Sequence, residues 1–198
     1  FDISGEEGRL RNTAIAKAIK DNNFFDWVYL GEDICDKTGP FCSPETLKEI
    51  YWPAVKNALE PLKDAGIKII WHCDGNIMPI LDDLIDVGVD GLQGFEEETE
   101  VKIEKLSEVK AKTGKKLVLF GSVSVTTTLP SGTINDVKEK IESIVNLSKK
   151  RGGGIVLTPS SSILGGTPNE NIYSLFNYTK EYSKKIFGER ILKIKFIE

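Results

Sequence analysis

His72 is the only histidine of the chain, and Asp74 stands two residues beyond it in the stretch Lys68-Ile69-Ile70-Trp71-His72-Cys73-Asp74-Gly75-Asn76. An imidazole beside a carboxylate can bind and polarise a substrate, so this stretch is the first place to look for chemistry. Lys68 to Trp71 reads as a short buried strand, Gly75 lets the chain turn, and Asn76 is a good N-cap for a following helix. Polar residues at the C-terminal end of a parallel strand, just before a helix, stand where α/β barrels keep their active sites. Two further carboxylates fit that pattern. Asp33 closely follows a strand, where it either faces a substrate or caps a turn, and Glu96 sits at another strand end. Glu97 and Glu98 read as first-turn helix residues favoured by the dipole.

The elements that must position these groups alternate. A helix is expected over 7–22, a strand over 26–30, and a loop from Cys35 to Cys42. Ser43-Pro44-Glu45 opens a long helix to about Asp64, kinked or broken near Pro53 and Pro61. Strand 67–72, helix 76–87, strand 91–96, helix 99–113, strand 116–120, helix 134–150, strand 155–158 and helix 168–185 follow. Thr133 with Asp136, and Thr167 with Glu170, read as capping boxes. Residues 191–197 alternate like a strand or an appended tail. Strand-helix pairs at this spacing mean a parallel sheet covered by helices. About five such strands are visible, which suits either part of a (β/α)8 barrel or a small open doubly wound sheet. No repeat or linker divides residues 1–198, so they read as a single domain or part of one.

Composition narrows the function classes. A net charge of −4 without a dominant basic run argues against nucleic-acid or anionic-membrane binding. No apolar stretch approaches the roughly 20 residues of a membrane span. Three cysteines, Cys35, Cys42 and Cys73, make no disulfide framework and point to a reducing cytoplasm. The glycine run 152–154 precedes a strand instead of following one, the wrong context for a phosphate loop. Ser160-Ser161-Ser162 has no histidine base other than His72, which makes a serine hydrolase a poor fit.

Several short motifs, in order, resemble the later part of the uroporphyrinogen decarboxylase superfamily, which includes cobalamin-dependent methyltransferases. They are Gly31-Glu32-Asp33, Ser43-Pro44-Glu45, His72-Cys73-Asp74-Gly75-Asn76, Gly88-Val89-Asp90-Gly91, the Gly121 loop with Gly132-Thr133, and Gly153-Gly154-Ile155 with Thr167-Pro168-Asn169-Glu170-Asn171. The resemblance spans roughly residues 26–182. It implies a (β/α)8 TIM barrel of which only about the last five strand-helix units are present. It also implies that a missing N-terminal barrel segment, a homodimer contact or strand 191–197 covers an open sheet edge.

What the resemblance implies for chemistry differs by branch. The methyltransferase branch uses a zinc held by a His-x-Cys pair and a later cysteine, and the matching positions here are His72, Asp74 and Ser161. His72 and Asp74 could still hold zinc, with a carboxylate such as Glu96 recruited as a further ligand. Serine is a poor ligand, and Cys73, one residue out of register, should point to the opposite side of the strand. Ser122 and Ser124 stand where the family often has Asn and Asp. The leading expectation is a methyl transfer between a corrinoid on a partner protein and a small acceptor. His72, Asp74 and Glu96 would act on the acceptor, and Asp33, Ser122, Ser124 and Ser161 would line the pocket. The alternatives are a metal-free decarboxylase-type lyase acting on a tetrapyrrole, and a non-catalytic binding module that kept the barrel.

Overall fold

The computed structural model describes residues 2–188, and the expected strand over 191–197 lies outside the described residues. Helix α1 spans Asp2–Asp21 and leads into strand β1, Trp27–Gly31. A small antiparallel hairpin follows, β2 (Cys35–Asp36) and β3 (Gly39–Pro40), with the Asp36 carboxylate accepting from the backbone of Thr38 and Gly39. Next come α2 (Pro44–Thr46), a π-helical turn over Leu47–Tyr51, and α3 (Trp52–Asp64). Strand β4 (Lys68–His72), α4 (Leu81–Val87), β5 (Gly91–Gln93), α5 (Ile103–Leu106) and β6 (Val118–Phe120) occupy the middle of the chain. It continues through α6 (Thr128–Ser131), α7 (Ile134–Arg151), β7 (Ile155–Val156) and α8 (Asn169–Phe187).

The five principal strands pair in the order β1-β4-β5-β6-β7, all parallel. That order never reverses. A doubly wound sheet has a switch point where the strand order turns back, whereas right-handed crossovers without reversal lay successive helices on one face. Here α1 packs on α3, α3 on α4, and α7 on α8. The winding is therefore that of a partial TIM-type barrel, with β1 and β7 as the outer strands of the described sheet.

The core lies between sheet and helices. Ile69, Leu92 and Leu119 from three neighbouring strands are fully buried, as are Leu62 of α3, Leu84 of α4 and Ile141 of α7. Along α7 the buried residues Val137, Ile141, Ile144, Val145 and Ser148 recur at helical spacing, giving one apolar stripe. Each such aliphatic side chain contributes roughly 1.5–3 kcal/mol by leaving water. The Thr133–Asp136 capping box forms as expected at the start of α7.

Four local expectations need correcting. The helix over 99–113 is only α5; Val101, Ile103, Leu106 and Ala111 are all buried, and the chain closes a turn with a Lys110–Lys116 bridge instead of continuing the helix. Strand 91–96 stops at Gln93, because Gly94 takes a φ of +97° that turns the backbone out of the sheet. The long helix is not broken at Pro61; its irregularity is the π-turn ahead of Pro53, where Trp52 N–H reaches the Leu47 carbonyl. Thr167 does not cap α8, since its hydroxyl donates to the Leu164 carbonyl at 2.8 Å.

Candidate functional site

Parallel register sets the site. Gly31 pairs with His72 and His72 with Gln93, so the last paired positions of β1, β4 and β5 stand side by side at the C-terminal end of the sheet. Glycine at 31 is required by proximity, because a Cβ there would lie 2.1 Å from the His72 carbonyl oxygen. Beyond β5, a Cβ on Gly94 would lie 2.7 Å from His72 Nδ1, so that glycine leaves room for the imidazole.

Just past the strands, the backbone N–H of Asp74 donates to Asp33 Oδ1 at 2.9 Å, which draws the loop after β1 onto the loop after β4. His72 Nε2 then faces Asp33 Oδ1 at 3.4 Å and Asp74 Oδ1 at 3.9 Å. The second distance is too long for a hydrogen bond. Ser161 Oγ, from the loop after β7, donates to the other Asp74 oxygen at 3.1 Å. Asp74 Oδ1 is left buried without any hydrogen-bond partner. Burial pushes the Asp74 carboxyl above its ordinary range and the charge of Asp33 adds to this, against the opposing pull of His72 and Ser161. One ligand atom from each of Asp33, His72 and Asp74 lies within 4.8 Å of the others. The Asp33 side chain is 56% exposed, which leaves the set open to solvent on that side.

Behind the imidazole, Gln93 Oε1 lies against His72 Nδ1 and also accepts from the Tyr29 hydroxyl. The Gln93 amide nitrogen donates to the Ser160 carbonyl at 2.8 Å. Burial raises the Tyr29 hydroxyl, and the charges of Asp74 and Asp33 raise it further. Tyr51, placed by the π-turn, donates to Glu32 Oε2 at 2.9 Å and steadies the Gly31-Glu32-Asp33 segment. A cavity of about 330 Å³ between α1, α3 and β1 reaches Tyr29 and His72.

The other expected residues sit on the far side of Gln93. Glu96 accepts from Ser160 Oγ at 2.6 Å, and that same hydroxyl oxygen accepts from Val125 N–H at 3.1 Å. Ser122 is buried and donates to the Phe95 carbonyl at 2.7 Å. Ser124 accepts from the N–H groups of Thr126 and Thr127, at 3.2 and 3.0 Å. The structure thus joins Asp33, His72, Asp74 and Ser161 in one cluster, and gives Glu96, Ser122 and Ser124 other partners. Cys73 turns away from the cluster into the core, where its thiol meets that of Cys35. The hydrogen bond between the thiols, with burial, pushes Cys35 well up and draws Cys73 down, but both sulfurs are buried and Cys73 is turned into the core, away from the cluster.

The uroporphyrinogen decarboxylase (URO-D) family model matches residues 33–182, a span holding all four members of the cluster. The chain belongs to the uroporphyrinogen decarboxylase family. Its members are enzymes, and the strand ends that carry their chemistry in a barrel are the ends where Asp33, His72, Asp74 and Ser161 meet. No curated protein matches the chain. Among the described residues, no helix is long and apolar enough to cross a membrane.

The three positions that the sequence resemblance matched to zinc ligands, His72, Asp74 and Ser161, do come together. Ser161, however, spends its hydroxyl on Asp74, and Asp33 supplies the third ligand atom in its place. One imidazole nitrogen and two carboxylates suit zinc or another borderline divalent ion. The orphaned Asp74 Oδ1 is the atom such an ion would satisfy, so the residues present fit the group. Nothing in its own residue type distinguishes Gln93 in the sequence, whereas Glu96, three residues later, has the side chain of a strand-end acid. The signal that could have found it is the glycine directly after it, which marks the true end of the strand.

Proposed function

We propose that this URO-D family member transfers a methyl group between a corrinoid carried by a partner protein and a small acceptor, with Asp33, His72 and Asp74 holding a divalent metal. The observation that supports this reading is the buried Asp74 Oδ1, without a hydrogen-bond partner and facing His72 Nε2. A bound zinc would lower the pKa of a thiol or hydroxyl acceptor and so favour its nucleophilic form at neutral pH. The chain's own residues do the rest. Asp33 and Asp74 supply the negative charge that balances the cation, and Ser161 fixes which Asp74 oxygen turns inward. Asp33, the exposed member, borders the opening through which an acceptor enters. Glu96 and Ser124 belong to the wall beyond Gln93.

Electrostatics favours methyl transfer over decarboxylation of a tetrapyrrole. Glu32, Asp33, Asp74 and Glu96 all cluster near these strand ends, and four carboxylates repel a polycarboxylate substrate. A reducing compartment suits a reaction with a free thiol.

The test is the metal content of the full chain beside its His72→Ala variant, followed by demethylation of methylcobalamin with thiol acceptors. We expect stoichiometric zinc in the parent, its loss in the variant, and thiol-dependent demethylation that falls at least about a hundredfold with it. Metal absent from both proteins, with no demethylation, would leave the binding-module reading standing.

A further inference from the structure

We propose that Gln93 is a positioning residue: it holds His72 as the Nδ1–H tautomer and so turns the Nε2 lone pair toward Asp33 and Asp74. This deepens the metal reading above and rests on it for one of its two readouts.

The assignment follows from what each atom can do. The Ser160 backbone carbonyl can only accept, so the Gln93 atom 2.8 Å from it is the amide nitrogen. Oε1 is therefore the atom that faces His72 Nδ1, at 2.5 Å, and the Tyr29 hydroxyl. A carbonyl oxygen donates nothing, so both neighbours donate to it and Nδ1 carries the proton. A neutral imidazole has one N–H, which leaves Nε2 as a lone pair. That lone pair looks at Asp33 Oδ1 at 3.4 Å and Asp74 Oδ1 at 3.9 Å. Three electron-rich atoms facing one another make poor neighbours unless a cation joins them. The opposite tautomer would relieve the repulsion by giving Asp33 an Nε2–H to accept, so something must hold the proton on the far nitrogen. Gln93 does so, with its amide clamped at both ends: β4–β5 register sets its backbone, and Ser160 and Tyr29 fix its head group. Outer-shell hydrogen bonds of this kind set the tautomer of a ligating histidine and typically change metal affinity by about 10–100-fold when removed.

Because His72 is the only histidine, long-range ¹H–¹⁵N spectra of the metal-free chain give one imidazole pattern. They would be recorded near pH 8.5, about two units above an ordinary histidine. The parent is expected to show a protonated Nδ1 and an unprotonated Nε2. Gln93→Leu, which removes the acceptor, should move the proton to Nε2, and Gln93→Glu, which keeps an acceptor, should restore the parent pattern. Titration with Zn²⁺ should then show binding roughly 10–100-fold weaker in the Leu variant and no weaker in the Glu variant. An Nε2–H tautomer in the parent overturns the inference, with no variant needed. So does a folded Leu variant with the parent's tautomer and affinity. An Nδ1–H parent that binds no zinc, with a Leu variant that carries the proton on Nε2, upholds the role of Gln93 and sinks the metal reading instead.

Discussion

The strand ends carry two polar clusters, separated by Gln93, that use similar residues to opposite ends. On the β1–β4 side, Asp33, His72 and Asp74 face one another across distances too long for hydrogen bonds between His72 and Asp74, and one carboxylate oxygen is buried unpaired. On the β6–β7 side, Ser122, Ser124, Ser160 and Glu96 spend their polar atoms on the backbone and on each other. Burial pushes Asp74 up. Glu98, by contrast, sits below the ordinary carboxylate range: burial pushes it upward, but hydrogen bonds from Thr127 and Ser124 outweigh that. A satisfied network holds a fold in place, whereas an unsatisfied buried group stores free energy that a ligand can release. The difference separates a cluster with an unmet polar group from a self-satisfied scaffold made of much the same side chains.

The largest effect expected from breaking this comparison is at Asp74. Asp74→Asn should weaken Zn²⁺ binding by more than the roughly hundredfold typical of an outer-shell partner. The same change should raise the melting temperature of the metal-free protein, because an ionised carboxylate oxygen no longer lies buried and unpaired. Thermal melts with and without Zn²⁺ would show both shifts; a metal-free variant that melts lower would place Asp74 with the scaffold.

An intermediate effect, opposite in kind, is expected at Ser160. Ser160→Ala strands the buried Val125 N–H and a Glu96 oxygen and should cost about 1–3 kcal/mol in denaturant unfolding. Its backbone carbonyl still holds Gln93, so zinc affinity should not change. A loss of affinity in a variant that remains folded would merge the two clusters into one functional unit.

The smallest effect is the acid titration of Glu98. Its carboxyl is lower in the folded chain than in the unfolded one, so its contribution is present above the ordinary carboxylate pKa and lost as pH falls through the folded value. The melting temperature should therefore exceed that of Glu98→Gln above the ordinary carboxylate pKa, and the gap should close as pH falls through the lower folded value. Curves separated by a constant gap across that range would count against the hydrogen-bonded carboxylate.

How much of this was legible in the chain depends on how local each signal is. His72 and Asp74 could be read as a site because strand, turn and helix signals lie within one short stretch. Asp33 was visible as a strand-end acid, but its bond to the Asp74 N–H follows from β1–β4 adjacency, which no local pattern carries. Five parallel strands could be counted, yet their unreversed order emerged only from the pairing. Helix 99–113 failed because Val101, Ile103 and Leu106 are each buried by the tertiary fold, and burial overrode helix propensity. Thr167 has the letters of a capping box, but its hydroxyl found a carbonyl three residues back. Gln93 had no reason to be preferred until His72 stood beside it.

Sequential strand order also bears on how the molecule assembles in time. The contacts of the site close over very different chain lengths: His72 with Gln93 over 21 residues, Asp74 with Asp33 over 41, Gln93 with Ser160 over 67, and Ser161 with Asp74 over 87. Longer closures cost more entropy and come later unless earlier ones shorten them. By that ordering His72 and Gln93 meet first, Asp33 joins Asp74 next, and Ser161 arrives last. Pulse-labelled hydrogen exchange during refolding should accordingly protect the β1–β4 amides ahead of those around β7, and the reverse order would rule this sequence of assembly out.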